Sequence, residues 1–173
     1  MAKLGCLLIG SFIVGGIALG TKIQLSYLAT ATKGYPYSHL DFVFEVEVWL
    51  AAMLTGVLIS KNGRMNTYTW GIISSLLLLL GSIIIGFIEI RNSKLIMFAI
   101  IFIGLSFGSL LIMGLCAILE DQPFYRVGTF SGFFTFAITV GGYYFAYLVF
   151  GLLHDRNMKG GLCQGTSCFA ISY

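Results

Sequence analysis

Five uninterrupted apolar runs occupy most of this chain, and each is long enough to cross a lipid bilayer. They cover roughly residues 4–30, 40–60, 67–88, 95–119 and 126–153. A hydrocarbon core about 30 Å thick takes about 20 helical residues at about 1.5 Å each. Apolar residues fill these runs all round instead of marking one stripe, which is the pattern of helices surrounded by lipid. Hydrophobic residues make up 58% of the chain and charged residues only 10%, against about 25% charged in soluble domains. The expected fold class is therefore an all-α membrane protein, a single membrane domain over 1–173 built as a bundle of about five transmembrane helices, with a polar tail at 154–173. The breaks between runs, "TKGYPYSHLD", "SKNGRMN", "EIRNSK" and "EDQPFYR", are short, so consecutive helices are expected to run antiparallel.

Charge says little about direction. One side of the bilayer would hold Lys3, Lys61, Arg64 and Arg126, and the other Lys33, Arg91, Lys94, Arg156 and Lys159. The positive-inside rule needs an imbalance that these two sets lack. A net charge of +3, thinly spread, excludes nucleic acid as an expected partner. Lys3 before an apolar run resembles a secretory signal. The run is long and ends without a small-residue cleavage site, so a retained helix is expected, with no Arg-rich transit peptide before it.

Small residues recur four apart at Gly16 and Gly20, at Gly104 and Gly108, and at Gly128 and Gly132; Gly141 and Gly142 extend the last set. This spacing puts both glycines on one helix face and lets a second backbone approach closely. The aromatic load at 130–147 reads as lipid-facing or packing surface, not as a ligand box.

Polar groups inside the runs are few. Lys22 lies late in the first. A charge at mid-bilayer costs about 3 kcal/mol on insertion scales, so Lys22 is expected to face protein or water or to snorkel to the near interface, with snorkelling preferred. Glu45 and Glu47 open the second run on different faces. Glu45 shares its face with Trp49 and is expected to point at a pathway or at Lys22, whereas Glu47 reads as an interfacial charge. His39 and His154 read as solvated residues at helix ends, and Glu120, Asp121 and Arg126 as a local pairing set across a short loop. No catalytic motif, cofactor site or metal-ligand pattern stands out, so no enzyme activity is expected. Cys6 and Cys116 sit in apolar runs, where cysteine behaves as a small hydrophobe. Cys163 and Cys168, four residues apart in "GLCQGTSCFAISY", are spaced more loosely than a zinc knuckle. They read as a loop with two cysteines, or as a disulfide where that loop meets an oxidising space.

"GVLISKNGR" carries a resemblance. Gly56, Leu58, Gly63 and Arg64 match the spacing of the G-x-L-x-D-R-x-G-R loop of major facilitator superfamily transporters. Ser60 stands in place of that loop's acid and Lys61 in place of its first arginine. In the family the acid helps latch two helices during switching, so the latch is not expected here. The stretch "GLSFGSLLIMGLCAILEDQPFYRVGTFSGFFTFAITVGGYYFAYLVFGLLHDRN" resembles late helices of the nodulin-like branch. "SYLATATKGYPYSHLDFVFEVEVW" resembles the first loop of the same carboxy-terminal half. Cys163, Gly165, Cys168 and Phe169 resemble that branch's C-x-G-x-x-C-F segment before its final helix. The resemblance implies the second half of a twelve-helix transporter, cut short before its last helix.

Half a transporter supplies at most one wall of an alternating-access path. An incomplete bundle is also expected to leave a flank of small residues and unpaired polar groups, Lys22 and Glu45 among them, that foreign protein must cover. The leading expectation is therefore a non-catalytic subunit packed against other membrane proteins and lipids, with the inner mitochondrial membrane as the compartment by analogy with small accessory subunits there. The alternative is a transporter half working with a second polypeptide on a small organic anion such as a monocarboxylate, with Lys22 as the charge partner.

Overall fold

The computed structural model describes residues 2–26, 29, 36–62, 65–87 and 93–152. Apart from short turns these residues are helical, and no strand occurs among them. Helix α1 joins an α-helical segment, Ala2–Gly10, a π-helical turn, Ser11–Gly15, and a second α-helical segment, Gly16–Ile23. Helices α2 (Tyr37–Asn62), α3 (Met65–Phe87) and α4 (Ser93–Asp121) follow. Helix α5 runs from Phe124 to Tyr143 as an α-helix and continues as a π-helix, Tyr144–Gly151. Four stretches, Leu4–Ile23, Tyr37–Lys61, Leu95–Asp121 and Phe124–Gly151, are long and apolar enough to cross a membrane, and α3 carries a shorter apolar stretch, Thr69–Ile85. The chain is an integral membrane helical bundle.

Every helix from α2 onward begins two or three residues before the expected start, and α2 and α4 end two residues late. The break "EDQPFYR" shrinks to Gln122 and Pro123, because Glu120 and Asp121 complete α4 while Phe124, Tyr125 and Arg126 open α5. Composition marks the edge of the hydrocarbon, whereas backbone hydrogen bonding marks the end of the helix. Proline supplies the stop. The two prolines of the chain, Pro36 and Pro123, stand immediately before α2 and α5, where a missing N–H breaks no helical bond. Their carbonyls accept the first returning N–H groups, from His39 at 3.0 Å and from Arg126 at 2.8 Å.

Helix α4 is the centre of the bundle and packs most extensively on α2 and α3, while α5 packs mainly on α1. The larger core joins Leu40, Phe44 and Val48 of α2 with Leu78 and Ile85 of α3 and Ala99, Ile100 and Ile103 of α4. A second cluster joins Ile118 of α4 with Phe134 and Ile138 of α5. On α2 the buried residues are Leu40, Phe44, Val48, Ala51, Thr55 and Ile59, while Phe42, Trp49, Met53, Leu54 and Val57 are exposed. The inward face thus has the 3.6-residue period of a helix, although inside and outside are equally apolar. Such an exterior would associate in water; in a bilayer it is the surface that lipid covers.

Polar side chains tie the helices together from within. The Thr55 hydroxyl donates to Ser109 Oγ at 3.1 Å, linking α2 to α4. The Ser106 hydroxyl donates to the Ser74 carbonyl at 2.6 Å, linking α4 to α3. Gln24 Nε2 donates to the Ala146 carbonyl at 2.6 Å, linking the end of α1 to α5. In hydrocarbon such groups need a protein partner, since no water is available.

Candidate functional site

The glycine pairs divide into two kinds. A Cβ added to Gly16 would sit 2.8 Å from the backbone of Gly141, and one added to Gly20 would sit 3.2 Å from the Ala146 nitrogen. Here α1 and α5 cross backbone against backbone. At Gly104 an added Cβ would sit 3.1 Å from the Phe44 carbonyl oxygen, and at Gly108 it would overlap the Val48 carbonyl, so α2 lies against this pair of α4. Gly128 and Gly132 differ. Both are exposed, and a Cβ added to either meets no atom within 4 Å. Thr135 and Thr139 continue the same face, since positions 128, 132, 135 and 139 recur every three or four residues. Both threonines are exposed and turn their hydroxyls back onto their own helix, onto the carbonyls of Ser131 at 3.0 Å and Thr135 at 2.9 Å. The result is a shallow, small-residue face on the outside of α5 with these two hydroxyls already satisfied.

The second feature is a charge pair. Lys22 is the next-to-last residue of α1, and Glu45 lies eight residues into α2, about 12 Å along its axis. The Lys22 ammonium contacts Glu45 Oε1, and it stands 5.9 Å from the ring centre of Phe44, a cation–π distance. The two side chains are 32% and 42% exposed, so the pair sits at the rim of the bundle, not in its centre. The contact with Lys22 is one of the two directions expected for Glu45. A carboxylate on the adjacent helix is within reach, and pairing with it offsets part of the cost of removing the ammonium from water. The expectation that Lys22 and Glu45 lack partners within the chain is overturned, because they satisfy each other. Glu45 and Glu47 do diverge. The Glu47 Cβ lies where a Cβ on Gly104 of α4 would stand 3.0 Å away, so Glu47 borders α4 and not only the interface.

Asp41, which the expected second run and the break before it both include, was not singled out in the sequence; it lies in α2, four residues before Glu45 and on the same face. Its Oδ1 is shielded from solvent and has no hydrogen-bond partner among the described residues. Its place at the polar edge of the second run hid it, since hydropathy there reads as loop. The links made by Gln24, Thr55, Ser106 and Ser109 were also missed. Their signal was present, as polar residues inside apolar runs, and for the two serines as neighbours of the Gly104–Gly108 pair.

The loop resembling the facilitator motif is only partly described. Gly56 lies in α2 with Ile112 of α4 at 3.8 Å from its added Cβ, and Ser60 and Lys61 are exposed in the last turn of α2. Gly63 and Arg64 lie outside the described residues, as do Lys33, Arg91, His154, Arg156, Lys159, Cys163 and Cys168. Glu120 and Asp121 close α4 and Arg126 opens α5, all exposed, with the Arg126 guanidinium 5.3 Å from the ring centre of Tyr125. Among the described residues no group of histidine, cysteine and carboxylate side chains is arranged to hold a metal ion.

Comparison with known proteins leaves the family open. No family model, curated protein or solved structure matches the chain.

Proposed function

We propose that this chain is a non-catalytic structural subunit of a larger membrane assembly, and that the outer face of α5 is where a transmembrane helix of another subunit packs. The observation carrying this reading is the unused glycine pair, Gly128 and Gly132. Two other pairs of the same spacing each receive a helix of this chain, so their chemistry supports the same use for the third. Lipid tails fill such a shallow face less well than a helix does, and close backbone approach is what drives association where hydrophobicity cannot. Descent from the carboxy-terminal half of a nodulin-like facilitator, and residence in the inner mitochondrial membrane, belong to this proposal; the second rests on analogy.

The test is extraction in mild detergent followed by native-size separation. Wild-type chain is expected to co-migrate with other membrane proteins, and Gly132→Leu to release it as a helical, monodisperse monomer. Wild-type protein migrating alone would count decisively against the proposal.

The Lys22–Glu45 pair favours a second reading, a transporter half for a small organic anion. Ionisable residues at bilayer depth are functional candidates by default, and Asp41 adds a shielded carboxylate oxygen one turn away. Here Lys22 would exchange Glu45 for the anion. Flux in reconstituted vesicles is then expected to disappear in Lys22→Ala; undiminished flux in that variant removes the role.

A further inference from the structure

Helices α1 and α5 each contain a π-helical stretch, Ser11–Gly15 and Tyr144–Gly151, and each stretch packs on the other helix. Such winding is rare, is usually confined to single turns, and frequently marks functional positions. Both stretches have a side chain bonded to a backbone carbonyl. In α1 the Ser11 hydroxyl donates to the Leu7 carbonyl at 2.6 Å, a bond that Thr135 and Thr139 also make within α winding, so it does not by itself set the π turn. In α5 the Ala146 carbonyl, which α-helical winding would give to the N–H of Phe150, accepts Gln24 Nε2. Gln24 and Ala146 are both buried, at 8% and 0% exposure, so no water competes for this bond.

The winding decides which side chains face α1. Along α5 the buried residues Ile138, Gly142, Ala146 and Phe150 recur at intervals of four. In an α-helix every fourth residue drifts by about 40°, so Phe150 would stand about 80° round from Gly142, and Val149 would come within about 20° of it. A π-helix takes more than four residues per turn, which cancels the drift and keeps Phe150 inward. Phe150 is indeed buried and Val149 only partly so. Upstream, the backbone crossing of Gly16 with Gly141 leaves no room for movement. Phe12 of the first π stretch braces the start of the second, with its ring 5.8 Å from Tyr144 and 6.0 Å from Phe145. A change of winding is thereby confined to the residues beyond Gly141 and Gly142, and it turns Ala146, which Gly20 of α1 also meets.

We propose that Gln24 is a register latch: its bond to the Ala146 carbonyl holds the last two turns of α5 in π winding, and releasing it lets them rewind to α, turning Phe150 out and Val149 in. The device has two discrete arrangements, as a switch element requires, and it is independent of the assembly role above.

The experiment uses the full chain, freed of its four cysteines by substitution and reconstituted in bilayers, with a nitroxide at Val149 or at Leu148. Collision with dissolved oxygen reports lipid exposure. In Gln24→Leu the label at Val149 is expected to lose at least half of its oxygen collisions, while the label at Leu148, outward in both registers, keeps them. Gln24→Asn retains an amide but is one methylene too short, and must show the same shift. The distance between labels at Ile13 and Tyr143 reports whether the glycine crossing survives. Unchanged collisions at Val149 with the crossing intact would overturn the latch. So would loss of the crossing in both variants, because a latch is separable from the crossing it works against.

Discussion

Lys22 shows how a single residue is placed by what surrounds it. Its position near the end of α1 predicts an ammonium reaching for the interface, but Glu45 on α2 is within reach and carries the opposite charge. Removing one partner leaves the other uncompensated, and an unpaired charge at bilayer depth costs up to about 3 kcal/mol. The partial exposure of both side chains keeps the actual loss below that ceiling. Lys22→Ala is therefore expected to lower the unfolding midpoint in mild detergent, and adding Glu45→Gln is expected to restore at least half of the loss. A double variant less stable than Lys22→Ala would mean that the two groups do not act as a pair. Glu45 was legible as a candidate because the sequence places it near Lys22's end of the bundle. Asp41 was not, because a carboxylate at the edge of an apolar run looks the same whether it ends a loop or opens a helix.

At the level of helices, the same Gly-x-x-x-Gly spacing has three outcomes. It seats α5 on α1, seats α2 on α4, and faces outward at Gly128 and Gly132. A methyl group at Gly108 must displace the Val48 backbone, whereas one at Gly128 meets open space. Gly108→Ala is accordingly expected to destabilise the isolated chain by about 1–3 kcal/mol, the usual cost of overpacking, and Gly128→Ala to change it by less than about 0.5 kcal/mol. Equilibrium unfolding of both variants in one detergent makes the comparison. Equal losses would show that the α2–α4 contact does not set the response at Gly108, since helix propensity favours alanine over glycine at both positions. The serine and threonine links are weaker supports. Ser106→Ala should cost about 0.6 kcal/mol, the mean for hydrogen bonds between membrane helices.

For the whole molecule, the described helices turn many large apolar side chains outward. Trp49 stands at the middle of α2 and is 69% exposed. In a Trp70→Phe background, its fluorescence in bilayers should be quenched more by bromine far down the acyl chain than by bromine near the headgroup. The reverse order would place α2 at the interface and overturn its reading as a span.

Composition and run length alone determined that this chain lives in lipid, how many helices its described residues form and roughly where each lies, because a bilayer demands about 20 apolar residues with every backbone group bonded internally. They did not determine which side of a helix turns inward. Against lipid tails the core offers no gain in hydropathy, so Phe44 and Phe42, two residues apart, read alike although one is 1% and the other 68% exposed. Shape and hydrogen bonding make that choice. They use Gly16 and Gly108 but not Gly132, join Lys22 to Glu45, and wind the end of α5 around the reach of Gln24. Each of these depends on what another helix presents across the gap, and only the assembled bundle contains that information.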